Sequence, residues 1–171
     1  PFVIGGMQKH ASNLIRQFAG TEHRVHIITA AGKHDSVDEY RAKISGNIKD
    51  ENISYELIAF PRVIPFPGHY VLASWLFSKK AATLCRKHIK EYHLVYAKGF
   101  TGWYLAAHKK NDFPPIVVQL HGLEMFQQPY GLRDSLTRRL LKIPASAVIR
   151  HADAILSYGG KVRDILIQMG R

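Results

Sequence analysis

Cysteine is almost missing from this sequence. Cys85 is the only one, which excludes an intrachain disulfide and a cysteine-based zinc site and favours a reducing compartment, the cytosol by default. Long apolar runs are missing too: none approaches the ~18 residues of a membrane span, so a soluble chain is expected. Low-complexity segments and internal repeats are absent. So are the G-x-S-x-G elbow of hydrolases, the G-x-G-x-x-G of nicotinamide dehydrogenases and the G-x-x-x-x-G-K-[ST] of P-loop NTPases. The opening "PFVIGGMQKH" has no basic stretch leading into an apolar one, and no signal peptide is expected in it. Acidic residues are few. Against 24 Lys+Arg stand 13 Asp+Glu, a formal net charge of +11, enough to draw the protein towards nucleic acid, anionic lipid or a phosphorylated ligand without choosing among them.

What is present is an alternation of helical and extended patterns. A chain of 171 residues fits one domain that buries roughly 70% of the surface its unfolded form exposes. Met7, Ala11, Leu14, Ile15 and Phe18 recur at helical spacing, with Gly20 as a stop signal. "RVHIITA" (24–30) and "SYELIAF" (54–60) read as strands, and the polar, Gly- and Asp-rich residues 31–52 between them read as a surface excursion. The proline-rich "PRVIPFPG" leads into a helix over 69–90. "HLVYA" is the next strand, "TGWYLAAHKK" a short helix, "PPIVVQL" a strand, 133–150 a helix interrupted by Pro144, "ADAILS" a strand and "KVRDILIQM" a helix. Short apolar strands separated by helices predict βαβ units: an α/β, doubly wound domain with a mainly parallel sheet. Ligands of such sheets bind beyond the carboxyl ends of the strands.

Three features can carry chemistry. In "IGGM", Gly5 and Gly6 directly precede a helix, where bare backbone and free N–H groups suit a phosphate, although a tight turn is the more frequent reason for such a pair. In "IVVQLHGLE", His121 and Gly122 stand where an apolar strand gives way to a loop. An imidazole there can bond a sugar hydroxyl or, protonated, a phosphate; a packed loop histidine is the plainer alternative. His121 and Glu124 are spaced as an H-x-x-E pair but lack a third ligand for a metal. His23 and His26 point to opposite faces of a strand, and His10 sits at the boundary of the first helix. The third feature is the helix over 69–90. Val71, Ser78, Ala82, Cys85 and Ile89 share an arc expected to face the core, with Trp75 at its edge. Lys79, Lys80, Arg86, Lys87 and Lys90 share another, with Leu72 and Leu76 near its start. Cations beside aliphatics can rest on an anionic membrane, or be a solvated lysine face. "RDSLTRRLLK" adds a second basic stretch. No recognised nucleic-acid-binding pattern accompanies these patches, which disfavours nucleic acid as a partner.

Taken in order, "PFVIGGMQKHASNLIRQFAGTEHRVHIITA", "VVQLHGLE" and "RHADAILSYGGKVRDILIQMG" resemble the N-terminal domain of GT-B glycosyltransferases of family 4. The resemblance spans nearly the whole chain. It implies a Rossmann-like half of a retaining, nucleotide-sugar-dependent transferase, with residues 1–171 as the acceptor-side domain. Gly5 and Gly6 would approach the donor diphosphate or the acceptor. His121 would reach the transferred sugar and support charge in the transition state, with Gly122 keeping the turn beside it bare. It also implies an opening strand ahead of Pro1, normally central in the sheet, without which two interior edges would stand unpaired. The donor-binding domain would follow Arg171, so the chain alone is expected to be inactive. The serine that commonly follows the "ADAIL" strand falls in Ser157-Tyr158-Gly159-Gly160, where no role is assigned. No cofactor or metal is expected; the nucleotide-sugar is a co-substrate, and the acceptor a glycan or lipid-linked glycan. A cytoplasmic location follows, with peripheral attachment to the inner membrane face in polysaccharide or glycolipid synthesis. Two other readings stay open: half of a sugar-nucleotide epimerase, and a non-catalytic basic module for nucleic acid or anionic lipid.

Overall fold

The computed structural model describes residues 6–18, 21–32, 36–44 and 51–171, and the chain divides after Phe60 into two compact units. In the first, helix α1 (Gly6–Phe18), strand β1 (Val25–Ala31), helix α2 (Val37–Ile44) and strand β2 (Ile53–Ala59) follow one another. β1 and β2 pair in parallel from Val25↔Ile53 to Ala31↔Ala59. Ile15, Tyr40 and Ile53 form the core, with Val25, Ile27, Tyr55 and Leu57 packed against them. His26 Nε2 lies 3.4 Å from Glu56 Oε1 on the neighbouring strand, so this histidine has a local partner.

Helix α2 lies inside the stretch read as a surface excursion. Its polar composition hid it, yet its start is a capping box: Glu39 N–H donates to Ser36 Oγ (3.1 Å) and Ser36 N–H to Glu39 Oε2 (3.3 Å). Two orphan amides of the first turn are thereby satisfied. Tyr40 then anchors the helix, its hydroxyl 2.8 Å from Thr29 Oγ1 and its ring edge-on to Tyr55.

The second unit holds α3 (His69–Lys87), β3 (Val95–Lys98), α4 (Trp103–Ala107), β4 (Ile116–Gln119), α5 (Leu132–His151), β5 (Ala154–Leu156) and α6 (Gly160–Gln168). The three strands are parallel in the order β3-β4-β5. β4 is central, and the β-branched Ile116 and Val118 are completely buried, as a strand covered on both faces requires. The predicted α/β class with parallel strands therefore holds. The strands form two small sheets rather than the single one expected: among the described residues β1 pairs only with β2, and β3 only with β4.

Two helix boundaries differ from the sequence reading. α3 stops at Lys87 and passes into a separate 3-10 turn, Ile89–Glu91. α5 runs unbroken through Pro144. Proline removes one bond to the carbonyl four residues back, but Pro144, Ala145, Val148 and Ile149 are all buried, and tertiary packing rather than local propensity sustains such a helix. The core face of α3 is also wider than the predicted arc. Ser78, Ala82 and Cys85 are buried as expected, joined by Ala73, Ser74, Phe77 and Ala81, while Val71 and Trp75 are half-buried.

Asp153 ties the edge of this sheet together. Its Oδ2 accepts the Ile116 N–H at 2.6 Å and its carboxylate pairs with Lys109 Nζ at 2.6 Å, while its own N–H donates to Ile116 O. Burial alone would raise its pKa, but the Lys109 ammonium and the Ile116 amide outweigh that and hold it below the usual carboxylate range. A depressed pKa stabilises the fold above the unfolded value of ~3.9 and loses that contribution as pH falls through the folded one. Asp153→Asn is therefore expected to cost roughly 1 kcal/mol at neutral pH, a modest figure because the side chain is 39% exposed. Acid titration followed by circular dichroism should show a shallower loss of stability in the variant than in the parent. Identical acid limbs would remove this role. At the same C-terminal end of α5, Arg171 donates to the carbonyls of Ile149, Arg150 and Ala152, a cationic cap on the helix C-terminus.

Candidate functional site

Because β3, β4 and β5 are parallel, their carboxyl ends open along one edge of the sheet. β3 ends in Lys98, in register with Gln119 of β4, and Gln119 is in register with Leu156 of β5. The ladder extends one further rung through Leu120 N–H to Leu156 O (3.3 Å). His121 follows immediately. Leu120 and Leu123 are almost wholly buried on either side of it, so two core anchors hold His121-Gly122 at the sheet edge. The histidine is half-buried with its Nε2 shut from bulk water. Its ring centroid lies 5.7 Å from that of Tyr158, just beyond β5.

Below it, Gln119 is one of the few buried polar side chains. Its Oε1 accepts the Tyr96 hydroxyl, satisfying a group that would otherwise be costly to bury. Burial and, next, the Tyr158 phenol raise the Tyr96 pKa. Burial likewise lowers that of Lys98. Desolvation disfavours the charged form in both cases.

Gly122 has a steric reason to be glycine. A Cβ there would fall on the carboxylate of Glu124, 2.8 Å from its Cδ, so the bare backbone lets that carboxylate fold back beside His121-Gly122. Glu124 opens a 3-10 turn, Glu124–Phe126, and the turn is fastened to α5. Arg138 Nη1 donates to Glu124 O while its Nε bonds Asp134 Oδ2 at 2.7 Å, and Lys142 Nζ sits 5.5 Å from the Phe126 ring centroid. The Tyr130 amide, ahead of burial and Arg138, dominates the shift that keeps the Asp134 pKa low. The site loop is thus held by a helix rather than by its own chain alone.

Gly5 lies outside the described residues. Gly6 opens α1, in the first unit. On α3, Lys79, Lys80, Lys87 and also Lys90 beyond it are exposed, and so are Leu72 and Leu76. Arg86 is half-buried: its Nη2 donates to His108 O at 3.2 Å, and its guanidinium lies 5.5 Å from the Tyr104 and 5.8 Å from the Phe113 ring centroids. Sequence reasoning missed Lys98, Tyr96, Gln119 and Tyr158. The strand-end rule that found His121 would have found Lys98 and Tyr158 had it been applied to "VYAK" and "AILSY" as well.

Chemically this edge offers an imidazole, an amide, two phenols and an ammonium, groups suited to binding hydroxyls and phosphate and to stabilising charge. A thiol nucleophile is not part of it, since burial, only partly offset by Arg86, pushes the Cys85 pKa up to about 11 and leaves the thiol protonated and inert. Among the described residues no group of three His, Cys, Asp or Glu is placed to hold a metal ion, and no helix is long and apolar enough to cross a membrane.

A parallel α/β sheet with such groups at its carboxyl ends is consistent with a Rossmann-like glycosyltransferase domain. The sequence profile of Glycosyltransferase Family 4 matches residues 4–171, and the chain belongs to that family. Its role is accordingly of the transferase type. Searches of curated proteins and of solved structures returned no match.

Proposed function

We propose that residues 1–171 are the N-terminal, acceptor-side domain of a GT-B glycosyltransferase that moves a sugar from a nucleotide-sugar to a glycan or lipid-linked acceptor, with retention of anomeric configuration. The observation that carries this reading is the gathering of His121, Gln119, Lys98 and Tyr158 at the carboxyl ends of β3, β4 and β5 in a chain of this family. His121 bonds a hydroxyl of the transferred sugar, and Gly5 and Gly6 present backbone amides to a phosphate. The work is positioning and electrostatic stabilisation, without a covalent protein intermediate. In this reading the family's opening strand precedes Pro1, the donor-binding domain follows Arg171, and the chain on its own does not transfer sugar. No metal or cofactor takes part. The exposed Lys79, Lys80, Lys87 and Lys90 face an anionic inner-membrane surface, and Arg86, docked on Tyr104, steadies that helix.

The test is product analysis with the intact enzyme that contains this chain. UDP-, GDP- and ADP-linked sugars are offered with soluble and lipid-linked acceptors, and the new linkage is read by proton NMR. Retained configuration is the expected result. Inversion would remove the retaining mechanism, and conversion of donor to an epimer without acceptor would replace the transferase by an epimerase. DNA binding that falls steeply with salt, with no transfer to any acceptor, would favour the non-catalytic basic module.

A further inference from the structure

The turn that follows His121 is fastened more firmly than a solvent-facing loop requires. One ion pair of α5, Arg138 with Asp134 at 2.7 Å, holds it at two points: Arg138 Nη1 donates to Glu124 O, and Asp134 Oδ2 accepts the Tyr130 N–H at 2.9 Å. The Arg138 side chain is only 13% exposed, so the anchor itself is sheltered. Its guanidinium also lies 5.5 Å from the Tyr130 ring centroid, within the range of a cation–π contact. The backbone is thereby pinned, yet two of its side chains are given to solvent. Tyr130 is 94% exposed, and Glu124 is exposed as well.

The Glu124 carboxylate is the less expected of the two. It folds back over Gly122, where a Cβ would stand 2.8 Å from its Cδ, and among the described residues no hydrogen bond or ion pair engages it. Holding a glutamate in one place costs rotamer freedom, and no bond within the chain offsets that cost. An ionised carboxylate only accepts hydrogen bonds, so hydroxyl donors complete it. The Tyr130 ring, an aromatic face fixed in solvent on the same guanidinium, suits the apolar C–H face of the same ligand. Phosphate is a poor match, because the two cations that fasten this turn, Arg138 and Lys142, are already engaged by Asp134 and by the Phe126 ring, and the carboxylate left over repels anions. We infer that Glu124 and Tyr130 form a subsite for one neutral pyranose ring, Tyr130 packing on its C–H face and Glu124 accepting its hydroxyls, with Gly122 bare so that the carboxylate can take its place. The subsite deepens the glycosyltransferase reading and rests on it only for which substrate carries the ring, the transferred sugar or the acceptor.

The intact enzyme that contains this chain is titrated, with saturation-transfer NMR as the readout, with the methyl glycosides of glucose, mannose and galactose and with methyl glucuronide as the anionic arm. At least one neutral glycoside should bind saturably. Methyl glucuronide should bind about tenfold more weakly, although a net charge of +11 would by itself favour the anion. Tyr130→Ala and Glu124→Gln, both at exposed positions, should each weaken the neutral glycoside about tenfold with an unchanged circular dichroism spectrum, and Glu124→Gln should narrow the gap to the glucuronide. Gly122→Ala is the independent check. Gly122 is not among the glycines of positive φ, so alanine there displaces the carboxylate without straining the backbone; it should match Glu124→Gln, and the two together should be no worse than either. Failure of every neutral glycoside to bind, equal binding by parent and variants, or glucuronide bound as tightly as the neutral glycosides overturns the inference. In transfer assays Glu124→Gln should raise KM for one substrate: the donor if the ring is the transferred sugar, the acceptor if it is the acceptor's. Variant-sensitive glycoside binding by an enzyme that transfers no sugar would keep the subsite and remove only the transferase reading, and normal transfer with binding indifferent to the variants would do the reverse.

Discussion

Replacing His121 with alanine in the intact enzyme is expected to lower kcat/KM for sugar transfer roughly 10²- to 10³-fold, the usual cost of deleting one preorganised group aimed at developing charge. The loss should fall mainly on kcat, because such a group acts more strongly in the transition state than in the ground state. The fold should survive, since the side chain is only half-buried and the loop is anchored by Leu120 and Leu123 rather than by the imidazole. Steady-state kinetics with each substrate varied, alongside thermal unfolding, separates these effects. Unchanged kcat/KM would sink the assignment of His121, and a fall in Tm matching the loss of activity would make it a structural residue.

Gly102→Ala should have the largest effect on stability. Gly102 is buried, with φ −78° and ψ −4°, a backbone that any residue adopts, so the cost is steric. The new Cβ would stand 2.8 Å from the Ala97 Cβ on β3 and 3.4 Å from Val118 Cγ2 on β4. A Cβ cannot rotate away, so the turn after β3 must shift against the sheet. Overpacking of this kind costs roughly 1–3 kcal/mol, and a domain of this size loses roughly 2–4 °C in Tm per kcal/mol. Adding Ala97→Gly should restore part of the loss, because the two substitutions share one contact and are not additive. Equal Tm values for parent and Gly102→Ala, measured by calorimetry, would contradict the packing described.

Much of the fold could be read from the chain because its signals are local. In β4, Ile116, Val117 and Val118 are β-branched and apolar on both sides of the alternation, and the strand is the central one of its sheet. The helix at α1 and the strands at β1, β2, β3 and β5 were legible for the same reason, to within a residue or two at their ends. α2 escaped although its Ser36-x-x-Glu39 box was in plain view, because composition outweighed capping in the reading. Pro144 misled in the opposite sense: a proline reports the loss of one hydrogen bond, while the burial that keeps α5 whole comes from residues distant in sequence.

The site divides along the same line. His121 was legible as the residue after a buried strand, and Gly122 as a position that must stay bare. The sequence did not reveal what Gly122 is bare for, which is the carboxylate of Glu124 folded against it. Nor did it bring Tyr158 to within 5.7 Å of the imidazole, set Lys98 in register with Gln119, or turn Arg86 of a basic helix face onto Tyr104 and Phe113.

By itself, then, the amino-acid sequence determined the alternation of elements, the parallel α/β class, the basic charge and the strand end that carries His121. Periodicity and composition act over a few neighbouring residues, and a single chain displays them completely. The tertiary structure alone decided which strand ends meet, which cations of the described residues stay exposed and how the Glu124 carboxylate comes to lie against Gly122. Those outcomes depend on register and packing between residues tens of positions apart, for which local pattern holds no record.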